Sequence, residues 1–384
     1  MSLKLKAAVC ALIVLGIAFW LKPPSHQGKP VIQARLANPP EGILKTVKGD
    51  DGDVIDCVDI YKQPAFDYPL LKDHTLQIKP SSYPNGIQPN VAFVPESLNK
   101  NNKCPDGSVP IRRQIDTGIP VIRRQCDSTV MSCANSNDHQ YAFTAYRTSA
   151  ATMKGAHAAI NIWKPQLAKY TDFTLSQIWV IAGKGDDLNT IEAGWHVYPG
   201  LNGDAKPRLF IYWTRDNYRT TGCYNFRCPG FVLTNPNNPI GGALTTSVYN
   251  YKQQEIDLMI YKDDGTKAWW LYVNGQKIGY WPEDIFTALQ KGSDAVHWGG
   301  EIYDTTGTGG LHSLTQMGSG HHAKEGYRKA SYVNGLYYYD SSGVAVNLKL
   351  KDLTATAGAP ACYSYKYQAS GNDLYFFYGG PGCR

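Results

Sequence analysis

The sequence lacks the short motifs of several common enzyme classes. Its 384 residues contain no HExxH, no GxSxG and no CxxC, and the glycine-rich stretches 307–310 and 318–320 do not end in the Lys-Ser or Lys-Thr of a phosphate-binding loop. These absences argue against a zincin, a nucleophile-elbow hydrolase and a P-loop enzyme. His312, His321 and His322 could in principle join a glutamate around zinc. Histidines in a stretch rich in glycine and lysine more often belong to a loop, so we expect no metal site.

Charge is also scarce, at 18% of residues with a net charge of +6. The basic pairs Arg112-Arg113 and Arg123-Arg124 are each isolated among apolar or polar neighbours, so we expect no nucleic-acid partner. Aromatic residues make up 12% of the chain, which also has 37 glycines and 26 tyrosines. This composition favours an all-β protein with many tight turns over a helical one.

One apolar run, residues 7–21, is the sole candidate for membrane insertion. It follows Lys4 and Lys6, and Lys22-Pro23-Pro24 ends it. At 15 residues it is short for a membrane span but fits the apolar region of a signal peptide. We therefore expect residues 1–24 to be a signal peptide and the protein to be secreted, without a membrane anchor after processing. An uncleaved anchor is the minor alternative.

Cysteine usage agrees with export. Without Cys10 in the signal, an even number is left: Cys57, Cys104, Cys126, Cys133, Cys223, Cys228, Cys362 and Cys383. An even count in an exported chain predicts disulfides rather than a metal cluster. Sequence proximity favours the pairs 223–228, 362–383 and 126–133, which leaves 57–104. The chain has no Asn-x-Ser/Thr sequon.

The chain divides into two regions of different character. Residues 25–134 are rich in proline, whereas 135–384 contain short alternating or apolar runs separated by Gly, Asn and Asp. These runs predict strands at 141–146, 158–163, 176–182, 190–198, 208–214, 269–273 and 296–303. Repeated short strands indicate an antiparallel β-sandwich, which we expect to be jelly-roll-like and preceded by a small, mostly β propeptide domain. The only predicted helix spans 282–290.

Two of the five glutamates after residue 135 stand out. Glu255, Glu283 and Glu325 have the surroundings of surface charges. Glu192 and Glu301 instead lie in predicted strands that each carry a tryptophan. Alternation gives each strand one packable face, formed by Ile191, Ala193, Trp195 and Val197 and by Val296, Trp298, Gly300 and Ile302. The opposite faces hold Glu192, Gly194, His196 and Tyr198, and His297, Gly299, Glu301 and Tyr303.

A glycine two residues from each carboxylate leaves room for a substrate backbone on the same face. If the two strands were neighbours, the carboxylates would share a proton and could perform general acid–base hydrolysis. Peptide and glycosidic bonds are both open to such a pair. The alternatives are therefore a peptidase, a glycosidase, and a non-enzymatic extracellular protein that binds cell-wall carbohydrate through Tyr and Trp.

Several segments resemble the plant neprosin family. They are TIEAGWHVYP (190–199), FIYWT (210–214), GCYNFRCPG (222–230), GYWP (279–282), WGGEIYD (298–304), QMGSGH (316–321) and YGGPGC (378–383). Upstream, KGDDG (48–52), CVDIYKQPAF (57–66) and IRR (111–113) resemble the activation region of that family. The likeness runs from about residue 34 to the end of the chain.

The resemblance implies a secreted glutamic peptidase, a prolyl endopeptidase that cleaves after proline in acid. It implies a zymogen with a propeptide at 25–134, which acts as its own inhibitor, and a catalytic β-sandwich at 135–384. Glu192 and Glu301 take the catalytic positions, and no metal or organic cofactor is implied. The family pattern supports the disulfides 57–104, 223–228 and 362–383. We expect Tyr198, Tyr224, Tyr303, His196 and His297 to contact proline-containing peptide substrates.

The sequence departs from the family pattern at several points. His196 stands where relatives usually carry Gln, and His297 where an acid or amide is expected. An imidazolium facing the glutamates would favour their ionised forms, so we expect a different pH profile. The run after His321 also differs from the expected one. Finally, residues 125–142 contain no proline, so we expect maturation to cut after Pro120 or to need another protease.

Overall fold

The computed structural model describes residues 35–49, 51–84, 103–119, 138–150, 152–305, 313–371 and 373–383. The strands before residue 120 are β1 (Arg35–Leu36), β2 (Ile43–Lys48), β3 (Val54–Asp59), β4 (Ser108–Arg112) and β5 (Ile115–Asp116). The later strands are β6 (His139–Arg147), β7 (Gly155–Asn161), β8 (Phe173–Ala182), β9 (Asn189–Val197), β10 (Arg208–Thr214), β11 (Val232–Leu233), β12 (Glu255–Asp263), β13 (Ala268–Val273), β14 (Gln276–Pro282), β15 (Ala295–Tyr303), β16 (Ser331–Tyr339), β17 (Ala345–Asn347), β18 (Thr354–Ala357), β19 (Ser364–Ser370) and β20 (Asp373–Gly379). One short helix, α1 (Pro199–Asn202), accompanies 3₁₀ turns at Pro64–Asp67, Pro69–Leu71, Gly185–Asp187, Glu283–Ile285, Ala288–Gln290, Ala323–Glu325 and Leu350–Asp352.

The strands after residue 138 form two antiparallel sheets that pack face to face. One has the order β10-β9-β8-β15-β6-β18, and the other has the order β11-β14-β13-β12-β7-β16-β20-β19, with β17 beside β16. Residues of both sheets contribute to a single hydrophobic core between them. The fold is therefore a β-sandwich, as predicted, and all seven predicted strands correspond to observed ones.

Buried tryptophans join the two sheets. The indole of Trp195 in β9 donates a hydrogen bond to the backbone oxygen of Asn161 in β7, at 3.0 Å. Trp298 in β15 likewise donates to the backbone oxygen of His157, at 3.1 Å. Both tryptophan side chains are fully buried. A buried indole N–H needs such a partner, so these bonds fix which faces of β9 and β15 point into the core.

The helix predicted at 282–290 was wrong. The chain forms two 3₁₀ turns there, separated by Phe286 and Thr287, and the backbone of Phe286 is extended (φ −108°, ψ 165°). The side-chain oxygen of Asn189 accepts hydrogen bonds from the backbone N–H of Thr287 and Leu289. Ile285, Phe286 and Leu289 are all buried. Tertiary contacts therefore override the local helix signals.

The segment before residue 120 is a small β module that docks on the sandwich. Strands β2, β3 and β4 form one antiparallel sheet, and β1 pairs with β5. The side chain of Gln63 accepts a hydrogen bond from the backbone N–H of Leu233 (2.7 Å) and donates one to the oxygen of the same residue (3.1 Å). The module thus continues the edge of the larger sheet with a side-chain amide in place of a strand.

A buried cluster of charges also ties this module to the sandwich. Asp53 accepts from Arg208 at 2.6 Å and from Arg112 at 2.9 Å. Arg208 is fully buried and also bonds Asp204 at 2.6 Å. Although burial opposes ionisation of Asp53, the hydrogen bonds and charges of Arg208 and Arg112 hold its pKa below the ordinary value.

Three disulfides close loops of the described chain: Cys57–Cys104, Cys223–Cys228 and Cys362–Cys383. These pairings confirm the ones predicted for the six cysteines involved. Cys126 and Cys133, like the predicted signal peptide, lie outside the described residues. In the described part of the chain, none of the helices has the length and apolar character needed to span a bilayer.

Docking of the module should weaken in acid because Asp53 must stay ionised. A carboxyl group whose pKa is lowered on docking contributes its full stabilisation above the ordinary aspartate pKa and loses it as the pH falls through the lowered value. We expect Asp53→Asn to cost roughly 3–5 kcal/mol at neutral pH, since it leaves two arginines without their partner. Amide hydrogen-exchange protection of β2 and β3, measured from pH 7 to 3, tests this.

The control is Asp67→Asn, which changes an exposed carboxylate of the same module. It should keep both the wild-type protection and its loss in acid. Wild-type protection and pH dependence in Asp53→Asn would contradict the account.

Candidate active site

Glu192 and Glu301 lie on the same face of the six-stranded sheet, with one strand between them. β8 pairs with β9 on one side and with β15 on the other. Glu192 is opposite Trp179, and Glu301 is opposite Leu175. At typical spacings, the two Cα atoms are about 10 Å apart across the strands and about 13 Å apart along them. The strands are therefore not direct neighbours, and β8 lies beneath the space between the two carboxylates.

Glu192 is fully buried and is surrounded by hydrogen-bond donors. Its carboxylate accepts from Gln177 Nε2 at 2.7 Å, from Thr190 Oγ1 at 2.9 Å and from the Tyr218 hydroxyl at 2.8 Å. Gln177 and Thr190 come from β8 and β9, whereas Tyr218 comes from the loop after β10. An ionised carboxylate only accepts hydrogen bonds, so this arrangement suits Glu192 in its charged form.

Glu301 is also fully buried, but its partner is a histidine. Its Oε1 lies 2.6 Å from Nδ1 of His139, the first residue of β6. A single proton can lie on either side of such a contact. The two glutamates thus have different surroundings, and each has its own partner.

A row without bulky side chains separates the two carboxylates. Gln177 in β8 is opposite Gly194 in β9 and Gly299 in β15. A Cβ at Gly194 would lie 2.0 Å from the oxygen of Ser176, and one at Gly299 would lie 2.3 Å from the oxygen of Ala142. Close approach of the neighbouring strands therefore requires glycine at both positions. The two glycines also leave space on the sheet face that carries the glutamates. Within the described residues, Oε1 of Gln177 has no hydrogen-bond partner.

Three of the five predicted substrate-binding residues lie together. Tyr224 packs edge-on against Tyr198, with ring centroids 5.7 Å apart, and lies 5.6 Å from His196. The loop closed by Cys223–Cys228 carries Tyr224, which bridges to Tyr212 in β10. Tyr303 lies in the next group of rings, 4.7 Å from His139. His297 is apart from both groups and stacks on Phe143 at 4.7 Å.

The predicted change in pH profile depends on whether either histidine is charged in acid, and for His297 the surroundings oppose this. Burial, with a smaller effect of Arg147, lowers the pKa of His297 to about 3. Its ring is therefore neutral over most of the acid range and cannot favour ionised glutamates there.

His196 is also held as a neutral ring. Its Nε2 lies 2.9 Å from the amide nitrogen of Asn202. The same amide nitrogen donates to the backbone oxygen of Tyr198 at 3.2 Å, and Arg112 donates to the amide oxygen of Asn202 at 3.5 Å. These contacts fix the amide orientation, so Nε2 of His196 must accept and its proton lies on Nδ1.

Sequence reasoning missed four residues that contact the glutamates: His139, Gln177, Thr190 and Tyr218. Alternation could have found Thr190, which lies two residues before Glu192 in the same strand. No face was assigned to the strands of Gln177 and His139, and His139 precedes the strand predicted at 141–146. Tyr218 gave no signal because it lies in a loop with a positive φ of 61°. No group of three or more His, Cys, Asp or Glu residues in the described ranges could hold a metal ion.

The fold and this site define a β-sandwich protein with two separately held, buried glutamates on one sheet face. The family model for neprosin matches residues 170–381, and the model for the neprosin activation peptide matches residues 46–161. The chain belongs to the neprosin family. Together, the two matches support a peptidase made as a zymogen, with its own activation peptide as inhibitor. The match to the activation peptide extends through β6 and β7, past residue 134, where we predicted the propeptide to end and the catalytic domain to begin.

Two solved structures show weak overall similarity. A scytalido-glutamic peptidase with a transition-state analogue inhibitor has 10% identity and a TM-score of 0.33, over 62% of this chain and 97% of that chain. CG-16, a homodimeric agglutinin from chicken liver, has 7% identity and a TM-score of 0.23, over 41% of this chain and 92% of that chain. Scores this low support no inference about activity.

Substituting Gly194 with alanine should disturb the site through β8. The added Cβ would lie 2.6 Å from Cβ of Gln177, so the strand must shift or Gln177 must leave Glu192. We expect a loss of roughly 1–3 kcal/mol in the free energy of unfolding, measured by urea titration. Gly200→Ala is the control. The two atoms nearest to its added Cβ belong to the side chains of Tyr198 and Ile119, at 3.1 and 3.2 Å. Equal losses in both variants would contradict this explanation.

Proposed function

We propose that this chain is a secreted glutamic endopeptidase, made as a zymogen, which hydrolyses peptide bonds on the C-terminal side of proline at acid pH. The main support is the pair of buried glutamates on one sheet face, on either side of the Gly194–Gln177–Gly299 row, in a chain of the neprosin family. A peptide backbone along this row would have one carboxylate on each side.

The surroundings of the two glutamates support different roles. Three donors converge on Glu192, which suits the base that takes a proton from water. Glu301 and His139 share a hydrogen bond across which a proton can move, and we assign Glu301 the role of the acid. The side chain of Gln177 holds Glu192 through its nitrogen and has an oxygen that could accept a hydrogen bond from the substrate or the water.

Hydrolysis then proceeds in two balanced steps. The water oxygen bonds to the scissile carbonyl carbon as Glu192 takes one proton from that water. The tetrahedral species then collapses, the C–N bond breaks, and Glu301 gives its proton to the leaving nitrogen. The products are a carboxylic acid and an amine. The proton on Glu192 then passes to solvent, and Glu301 takes up a proton from solvent to restore its acid form.

The aromatic cluster beside the row supports recognition of proline. Tyr198, Tyr224 and His196 lie with Phe210 and Tyr212 within ring-contact distances of 4.6–6.1 Å. Grooves lined by aromatic rings are a recurring way to bind proline-rich peptides. We therefore assign Tyr198, Tyr224 and His196 to the site for the proline side of the cleaved bond, with Tyr303 on the opposite side of the row.

The docked module supports inhibition by the propeptide. Arg112 bonds the Asn202 amide that holds His196, and the Thr117 hydroxyl donates to the oxygen of Gly200 at 2.6 Å. These contacts link the module to the turn after β9. We propose 1–24 as signal peptide, 25–134 as propeptide and 135–384 as catalytic domain; the disulfides agree with export.

Peptide cleavage at acid pH tests the proposed reaction. We expect cuts after proline by the acid-treated protein, and a loss of at least about 100-fold in kcat for Glu192→Gln and for Glu301→Gln. Glu255→Gln, an exposed glutamate at the start of β12, is the control and should keep full activity. Mass spectrometry of the products gives the cut position. Equal activity in all variants would refute the glutamate roles, and cuts unrelated to proline would refute the specificity.

The maturation site can be tested independently. Because residues 125–142 contain no proline, an enzyme specific for proline should process itself after Pro120 or depend on another protease. N-terminal sequencing of purified zymogen after acid treatment should therefore give residue 121, or no new terminus. A terminus between 127 and 140 without any added protease would contradict this prediction.

A further inference from the structure

We propose that His139 is a positioning residue that holds the Glu301 carboxyl group in place and couples the protonation of that carboxyl to its own. This inference rests on the proposed function only for its kinetic consequence, because the contact itself can be tested without turnover. His139 acts through the carboxyl group of Glu301.

The strand register brings the two residues together. His139 is opposite Tyr303, and Glu301 is opposite Tyr141, so His139 and Glu301 are diagonal neighbours across β6 and β15. Long side chains reach across such a diagonal, and here Nδ1 lies 2.6 Å from Oε1. His139 is only 5% exposed and Glu301 is not exposed at all. With little water to compete, this hydrogen bond is stronger than one at the surface.

Aromatic rings fix the imidazole. Its centroid lies 4.7 Å from that of Tyr303, 5.8 Å from that of Phe173 and 6.1 Å from that of Tyr141. These three rings come from β15, β8 and β6, so every strand around Glu301 contributes to holding its partner. The ring cannot turn away from Glu301 without displacing them.

Among the described residues, a carboxyl group and aromatic rings pack against His139. Glu301 contacts it directly, and Tyr303 packs against it from β15. Burial, with the charges of Asp138, Asp172 and Asp304, raises the pKa of Tyr303, which is therefore a neutral phenol. Phe173 from β8 is apolar. A proton that binds His139 therefore lies next to the Glu301 carboxyl group, and its positive charge favours the ionised form of that carboxyl.

This arrangement has a kinetic consequence with a definite sign. If Glu301 is the acid, activity falls as the pH rises and Glu301 loses its proton. A charged His139 promotes that loss, so removing the charge should preserve the proton to higher pH. We expect His139→Gln, which retains a hydrogen-bond donor, to move the alkaline limb of the kcat/KM profile up by about one pH unit. The same variant should also lower kcat by roughly 10- to 100-fold, because the Glu301 carboxyl loses the imidazole that positions it.

The matched control is His157→Gln. His157 also forms a histidine–carboxylate pair, with Nε2 2.7 Å from Asp257, and stacks on Tyr337 at 4.3 Å. It lies in β7 of the other sheet, so the substitution removes a histidine–carboxylate pair without affecting the partner of Glu301. Both kcat and the alkaline limb should stay at wild-type values in this variant.

A titration separates failure of the pairing from failure of the proposed function. In the full chain, ¹³C NMR of histidine rings should show the His139 midpoint falling by about one unit in Glu301→Gln and staying constant in Glu192→Gln. The same midpoint in wild type and both variants, or an unmoved alkaline limb in active His139→Gln, would overturn the inference. If neither the wild type nor any variant cleaves peptides, the proposed function fails, and the titration alone decides whether His139 and Glu301 are coupled.

Discussion

The antiparallel pairing of β8 with both β9 and β15 is the constraint on which the core and the site both depend. Side chains alternate between the faces of a strand, so a register that buries Trp195 and Trp298 against β7 also turns Glu192 and Glu301 to the other face. A slip by one residue would put both carboxylates into the apolar core. The tryptophan N–H bonds to β7 oppose this slip, because they would be lost together with the packing.

The two glutamates differ because the sheet supplies them with different neighbours. Glu192 meets an amide and two hydroxyl groups, whereas Glu301 meets an imidazole. Two carboxylates share a proton only when their oxygens are close together, and here β8 and the Gln177 row lie between them. The proposed division into base and acid therefore arises from the separate partners of each carboxyl group rather than from mutual repulsion.

Much of this arrangement follows from two-residue alternation, which is visible in the sequence. It predicted the strands that carry Glu192 and Glu301 and the faces on which both lie. It could not predict that β8 lies between them, because strand order depends on long-range packing. The helix predicted at 282–290 failed for a similar reason, since Asn189 takes up two of its backbone donors. Tyr218 reaches Glu192 from a loop that has no periodicity at all.

One arginine of the docked module reaches the residues next to the site. Arg112 bonds Asp53 within the module, and it also bonds the side chain and backbone of Asn202 next to the site. Asn202 in turn fixes the proton of His196 on Nδ1. Protonation of Asp53 would remove one of the charges that hold Arg112 in this position. Loss of the module would then leave Asn202, and through it His196, without the arginine that fixes their orientation. Acid would therefore act on the contacts around the site through Arg112, even though neither glutamate touches the module's charged cluster.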